Sequence, residues 1–331
     1  MKRLVTSLVL VVLCCSAVWA QKPKNKIKTA YLSPEEAPAD FLFQGEYLGK
    51  ICLDGELRPF GLQVVALGDG RFDAVAYPGG LPGAGWNGYD KIDASGSLKD
   101  GVLTLYADDG YAVIKKGQAT IYNNSGEKLG ELKKVLRKSP TLGKKPPQGA
   151  IVLFDGTSTD RLAAGKVVEG GLLAPKILSK DKFQDCHIHL EFRLAFMPYA
   201  RGQARSNSGC YVQGRYEVQI LDSFGLEGKD NECGGIYKVK APDVNMCFPP
   251  LSWQTYDIEF KAARFDKNGK KIANARITVR HNGVLIHKDV ELPRVTPGGV
   301  LPGEGPEPGP LYLQFHGDPV RFRNIWVLPK K

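Results

Sequence analysis

Polar and apolar residues alternate along much of this chain. From His187 to Arg193 the order is His-Ile-His-Leu-Glu-Phe-Arg, which puts Ile188, Leu190 and Phe192 on one face of an extended strand. Arg215 to Leu221 alternates too, with Tyr216, Val218 and Ile220 opposite Arg215, Glu217 and Gln219. Trp253 to Lys261 sets Tyr256, Ile258 and Phe260 against Asp257, Glu259 and Lys261. Residues 276–281 and 284–290 flank Asn282-Gly283, the dipeptide that suits a two-residue type I′ hairpin. Leu311, Leu313 and Phe315 face away from Tyr312, Gln314 and His316. Many strands, each with one apolar and one polar face, predict a two-sheet sandwich with a wet outer face.

An earlier stretch, 41–136, breaks into shorter apolar runs closed by glycine turns. Leu62 to Leu67 ends in Gly68-Asp69-Gly70, Val102 to Tyr106 in Asp108-Asp109-Gly110, and Ala119 to Tyr122 in Asn123-Asn124-Ser125-Gly126. These hairpin signals predict a small β-rich module. Between it and a second module over 150–331 lies 137–149, polar, basic and proline-rich, with the composition of an exposed linker. Residues 21–40, with four lysines and three prolines, read as an exposed lead-in. The 38 glycines and 22 prolines in 331 residues fit short strands and tight turns, not a helical bundle.

Residues 1–20 have the form of an export signal. Lys2 and Arg3 precede the apolar run Leu8 to Cys15, and Ala17-Val18-Trp19-Ala20 precedes Gln21. Cys14 and Cys15 admit lipid attachment, against which stands Leu13 where a small residue is usual. A periplasmic or secreted protein without a transmembrane helix in the mature chain is expected. The formal charge of +10 is scattered rather than gathered in a stripe, so no nucleic-acid partner is expected. Cys52, Cys186, Cys210, Cys233 and Cys247 remain after the signal, an odd number without a C-x-x-C pair. Cys233 and Cys247 are closest in sequence and are the candidates for a disulfide; buried free thiols are the alternative.

Four strings carry a more specific signal: Asn207-Ser-Gly-Cys-Tyr-Val-Gln-Gly-Arg-Tyr-Glu-Val-Gln-Ile-Leu-Asp222, Cys233-Gly-Gly-Ile-Tyr-Lys-Val-Lys-Ala-Pro-Asp-Val-Asn245, Trp253-Gln-Thr-Tyr-Asp-Ile-Glu-Phe260 and Val320-Arg-Phe-Arg-Asn-Ile-Trp-Val327. With the opening Leu153-Phe-Asp-Gly156 they resemble the 3-keto-disaccharide hydrolase family, also described as 3-keto-glucoside 1,2-lyase/3-keto-2-hydroxyglucal hydratase. The resemblance covers roughly residues 148–331. It implies an all-β, concanavalin-like jelly-roll sandwich, an exported location and a modified sugar as ligand. It also implies an upstream sugar 3-oxidoreductase as a functional partner supplying the 3-keto sugar.

Glu217, Gln219 and Asp222 resemble the Glu-x-Asp-x-x-Glu strand of laminarinase-type hydrolases, with glutamine in the middle. Five strand steps separate the Glu217 and Asp222 backbones by roughly 16 Å. A retaining glycosidase needs its carboxyls about 5–5.5 Å apart, so a double displacement by this pair is disfavoured. A 3-keto sugar asks less, because its carbonyl acidifies the C2 proton. One base, one acid and one donor for the enolate oxygen suffice. Glu217, His316 and Glu191 are the acid or base candidates. Arg215, Lys238, Arg321 and Arg323 are candidate enolate stabilisers, Tyr211 and Tyr237 candidate sugar contacts, and Gln219 and Asp222 complete the candidate binding set. His187 and His189 share a strand face and could hold a divalent metal. Two other classes of function stay open: a lectin-like module without turnover, and a structural envelope protein.

Overall fold

The computed structural model describes residues 26–330. The expected export signal over residues 1–20 lies outside the described residues.

The first module is a meander of β1 (Gly45–Leu53), β2 (Glu56–Gly68), β3 (Arg71–Pro78), β4 (Ile92–Lys99), β5 (Val102–Ala107), β6 (Gly110–Lys115), β7 (Gln118–Asn123) and β8 (Lys128–Val135). Each pairs antiparallel with the next, and β8 returns to β1 from Glu46↔Val135 to Ile51↔Gly130. The result is a closed eight-stranded barrel, which leaves no sheet edge exposed. Tyr47, Phe72, Leu103, Ile114 and Leu132 fill one end of its interior.

The second module comprises β9 (Ile151–Phe154), β10 (Leu162–Val168), β11 (Leu172–Phe183), β12 (Cys186–Arg193), β13 (Ser208–Val212), β14 (Tyr216–Ile220) and β15 (Trp253–Lys261). It continues with β16 (Arg264–Phe265), β17 (Lys271–Ala273), β18 (Ala275–His281), β19 (Val284–Leu292), β20 (Gly309–Leu313) and β21 (Arg321–Pro329). Nine strands run side by side as β14-β13-β20-β11-β21-β12-β15-β18-β19, with β10 on β11 and β9 on β21, and β16 and β17 form a separate ribbon. The main path folds over on itself. Tyr216 on β14 and Phe260 on β15 lie six strands apart, roughly 29 Å in a flat sheet, yet their rings are 5.5 Å apart. Inward residues of both halves, among them Cys210, Val218, Ile258 and Ile277, share one apolar core. This is the expected jelly-roll sandwich. The Asn282-Gly283 turn also forms as expected, with φ of 51° and 80°.

The polar faces are not wet as expected. Every residue of β14 is buried, and so are His189 and Glu191 on β12. What covers β12 and its neighbour β15 is the presumed linker. Ser139 and Thr141 hydrogen-bond to Thr255, Thr141 and Lys144 to Asp257, and the Gly143 amide donates to Glu191. Arg137 joins Glu46 of the barrel at 2.7 Å and stacks on Phe248 of the sandwich. The lead-in is docked as well. Tyr31 bridges to Phe196, and Lys26 and Lys28 pair with Asp69 and Asp318. Both segments are polar because their partners are carboxylates and amides, so composition alone misreads them as free. Phe196, from the sandwich chain, is fully buried in the barrel core beside Phe41.

The shared core predicts one cooperative unfolding transition for both modules. Truncating Phe196→Ala should cost about 3–5 kcal/mol, the usual range for a buried Phe, and split the melt followed by near-UV circular dichroism in two. Two separate transitions in the unmodified protein would contradict the shared core.

Candidate functional site

The site is set by strand register. In the β13–β14 pair Tyr211 lies directly opposite Glu217, and Gly209 opposite Gln219. Tyr211 and Glu217 therefore project side by side. Gly209 makes the room: a Cβ there would come within 2.1 Å of Glu217 Oε1. The Gly298 loop closes from the other side, where a Cβ would come within 2.6 Å of the Tyr211 hydroxyl. Together with Gln203, Asn207, Tyr237 and His316 these residues line a cleft of about 180 Å³. A neighbouring depression of about 400 Å³ shares Tyr237, Pro297 and Gly298 and adds Lys238 and Arg294.

Glu217 is buried, at 3% exposure. Burial pushes its carboxyl up to about 8, with the Tyr211 hydroxyl pulling the other way. Proton counting leads to the same place. The Tyr211 hydroxyl oxygen is 2.8 Å from Glu217 Oε2 and 2.8 Å from the Pro297 carbonyl oxygen. A phenol has one proton and the carbonyl can only accept. With one proton between two acceptors, Tyr211 gives Glu217 no more than a shared hydrogen bond, so burial remains the larger influence on the carboxyl. The Gln314 amide, 3.3 Å from the same oxygen, donates to it. The site thus holds a neutral carboxylic acid near neutral pH.

Amides line the rest of the cleft. Asn207 gives its Nδ2 to Gln203, while its buried Oδ1 has no partner. An orphaned buried acceptor is costly unless a ligand hydroxyl meets it. Asn207 is fixed by Asp318, which accepts its backbone N–H at 2.9 Å and pairs with Lys28 of the lead-in. His316 lies past the end of β20, exposed at the rim of the cleft.

The candidates read from the sequence fall into separate places. Glu217, Gln219, Tyr211, Tyr237 and His316 come together, and Lys238 borders them with its ammonium 5.6 Å from the Tyr237 ring. Arg215 does not join them. Its guanidinium is held by the Gly303 and Glu307 carbonyls and anchors the 298–310 loop. The strand starts only at Tyr216, after the Gln213-Gly214 turn, so the parity that grouped Arg215 with Glu217 fails there. Asp222 pairs with Arg205 at 2.8 Å, away from the cleft. Asn207, Gln203 and Gln314 were not among the expected residues, although Gln314 shares its strand parity with His316.

Glu191 and Arg323 belong to a second polar cluster under residues 137–149. Burial would raise the Glu191 carboxyl, but hydrogen bonds from His189, Asn324, the Gly143 amide and Arg323 hold it down to about 2. Arg323 lies 3.9 Å over the Trp253 ring, and Arg321 follows on the same strand face. His187 and His189 stack on Trp326 at 5.5 and 5.2 Å, and His189 bonds Asp257. Among the described residues no three His, Cys, Asp or Glu side chains form a metal-binding group, so this histidine pair does not fit the expected divalent ion. Cys233 and Cys247 are free buried thiols, not the expected disulfide. They act as small core residues, with the Cys233 sulfur 3.3 Å from the Tyr256 hydroxyl and Cys247 donating to the Leu221 carbonyl. His281 and His287 are buried against Gln254 and the Gly234 carbonyl.

The raised Glu217 carboxyl makes a linkage prediction. Its pKa rises from 4.5 to about 8 on folding. Between those values the folded chain keeps a proton that the unfolded chain releases, so stability falls as pH rises through about 8. Glu217→Gln lacks this dependence. Its melting temperature should gain steadily on the unmodified protein from about pH 5 to pH 9. A constant difference across that range would contradict a neutral Glu217.

No curated protein matches the chain. A crystal structure of a candidate glycosyl hydrolase from Parabacteroides distasonis ATCC 8503 is 32% identical, with a TM-score of 0.50, over 56% of this chain and 85% of that one. Two more candidate glycosyl hydrolases from the same organism align at 17% and 20% identity, with TM-scores of 0.39 and 0.38. They cover 60% and 55% of this chain and 99% of each of theirs. The family model for the 3-keto-alpha-glucoside-1,2-lyase-like domain matches residues 149–328, which hold the whole sandwich and its cleft. Through that domain the chain belongs to the 3-keto-alpha-glucoside-1,2-lyase-like family.

Proposed function

We propose that the protein cleaves 3-keto-glycosides, 3-keto-disaccharides or 3-keto-glucosides, by elimination across C1 and C2 followed by hydration. The observation that carries this reading is the neutral Glu217 carboxyl in an amide-lined cleft, in a chain of this family. The 3-keto sugar sits against Asn207 and Gln219, and the leaving group occupies the lobe lined by Tyr237, Lys238 and Arg294. His316 at the rim takes the C2 proton, and the charge moves onto the C3 oxygen. Lys238, which borders the cleft, meets that charge. The C1–O bond breaks, and Glu217 gives its proton to the departing oxygen.

The second half restores both groups. Glu217, now a carboxylate, takes a proton from water as its oxygen bonds to C1, and His316 returns a proton to C2. The net change is hydrolysis, with no covalent sugar–protein intermediate. A lone carboxyl with Asp222 tied to Arg205 suits this route better than a double displacement. The substrate's ketone calls for a preceding sugar 3-oxidoreductase, and the export-signal pattern of residues 1–20 supports an extracytoplasmic place for the cleavage.

Removing a general acid or base costs roughly 10²–10⁴ in rate. Glu217→Gln and His316→Ala should each lose that much kcat on a 3-keto-glucoside while keeping the fold, and Glu191→Gln should not follow them. In deuterated water the product should gain deuterium at C2 faster than free 3-keto-glucose does without protein. Cleavage of an unoxidised glycoside at equal rate with no C2 label would overturn the mechanism. Saturable sugar binding with no turnover of either substrate would establish the lectin-like alternative. Protein recovered from the cell envelope should begin near Gln21, and an intact Met1 there would contradict export.

A further inference from the structure

The barrel, outside the family domain, has two unlike ends. Toward the sandwich its interior is packed by large side chains and closed by Phe41, Phe43 and Phe196. At the opposite end the inward positions turn small: Ala76 on β3, Ala94 on β4, Ala107 on β5 and Ala112 on β6. All eight strands line the resulting cavity of about 210 Å³. Its floor, with Ile51, Phe60, Leu62 and Leu105, is buried, while its mouth is half-buried. An eight-stranded barrel is just wide enough either to fill with side chains or to hold one small ligand. This one does the first at one end and the second at the other.

The lining defines the ligand. It is apolar throughout except for Asp109 and the hydroxyls of Tyr111 and Tyr122. Tyr111 and Tyr122 stack on each other at 5.0 Å with 14° between their planes, but they alternate with the inward Ala112 and Ile121, so their rings lie on the outer face beside Tyr106 and only edge the mouth. No lysine or arginine reaches the cavity. Asp54, Asp108 and Asp109, on the turns around it, are exposed and have no ion pair among the described residues. Such a rim repels carboxylates, sulfonates and phosphates. An apolar cavity of roughly 150 Å³ is enough to take benzene, so this one has room for one or two rings. We infer that the barrel is a binding site for one uncharged, apolar molecule of one- or two-ring size, seated in the alanine-lined end.

The site does not depend on the reaction in the sandwich, and its test is separate. The full-length protein is titrated with the neutral two-ring fluorophore 2-naphthol and, in parallel, with naphthalene-2-sulfonate, the same ring system with a negative charge. Saturable binding of one neutral probe per chain is expected, at least tenfold tighter than the sulfonate. Methyl NMR of the unmodified protein should show shifts at Ile51, Leu62, Leu105 and Ile121 and none at Ile188 or Ile258. Filling the space with Ala112→Phe, or more gently with Ala94→Leu, should weaken the probe at least tenfold and leave sugar turnover intact. No saturable binding, equal affinity for the sulfonate, or NMR shifts confined to the sandwich would each overturn the assignment, whether or not the filled variants fold.

Discussion

One hydroxyl proton governs the chemistry of this protein. Tyr211 touches two oxygens, one of which can never donate. That constraint leaves Glu217 with only a shared donor, so burial prevails and favours its protonated form. The backbone enforces the arrangement. Tyr211 faces Glu217 across the β13–β14 ladder, Gly209 leaves space for the carboxyl, and Gly298 lets the Pro297 carbonyl approach. Two strands and one loop thereby build a neutral acid that an exposed glutamate could not provide at neutral pH.

The sandwich depends on chain segments outside the family domain. Lys28 of the lead-in holds Asp318, which holds the Asn207 backbone at the cleft. Residues 137–144 cover β12 and β15 and add donors to Glu191 and Asp257, which Arg323, Asn324 and His189 also hold. A buried charge stripped of its partner costs several kcal/mol. Glu191 and Glu217 therefore show opposite solutions to burial: one stays ionised among donors, the other keeps its proton.

Much of this was legible in the sequence. Period-two alternation located β12, β14, β15 and β20, and Asn282-Gly283 fixed a hairpin. Parity grouped Glu217 with Gln219, and the motif strings marked the strands that build the cleft. The same parity would have placed His281 inward beside Val279 and Ile277, where it is found. What was not legible depended on contacts distant in sequence. Closure of the barrel needs β8 to meet β1, and nothing local states it. The docking of residues 137–149 rests on hydrogen bonds to β12, β15 and β21, so a polar, proline-rich composition reads as exposure. Arg215 was misplaced because a turn reset the strand's phase, and Glu191 because parity says which face a residue takes but not what lies over it.

The protonation of Glu217 can be measured directly by carbon NMR of the protein labelled at glutamate side-chain carboxyls. One carboxyl resonance should titrate near pH 8 and vanish in Glu217→Gln, while another, absent in Glu191→Gln, should stay ionised down to about pH 2. If every glutamate in the folded protein titrates in the ordinary range, around pH 4, Glu217 is an ordinary carboxylate. The neutral acid at the centre of this cleft would then not exist.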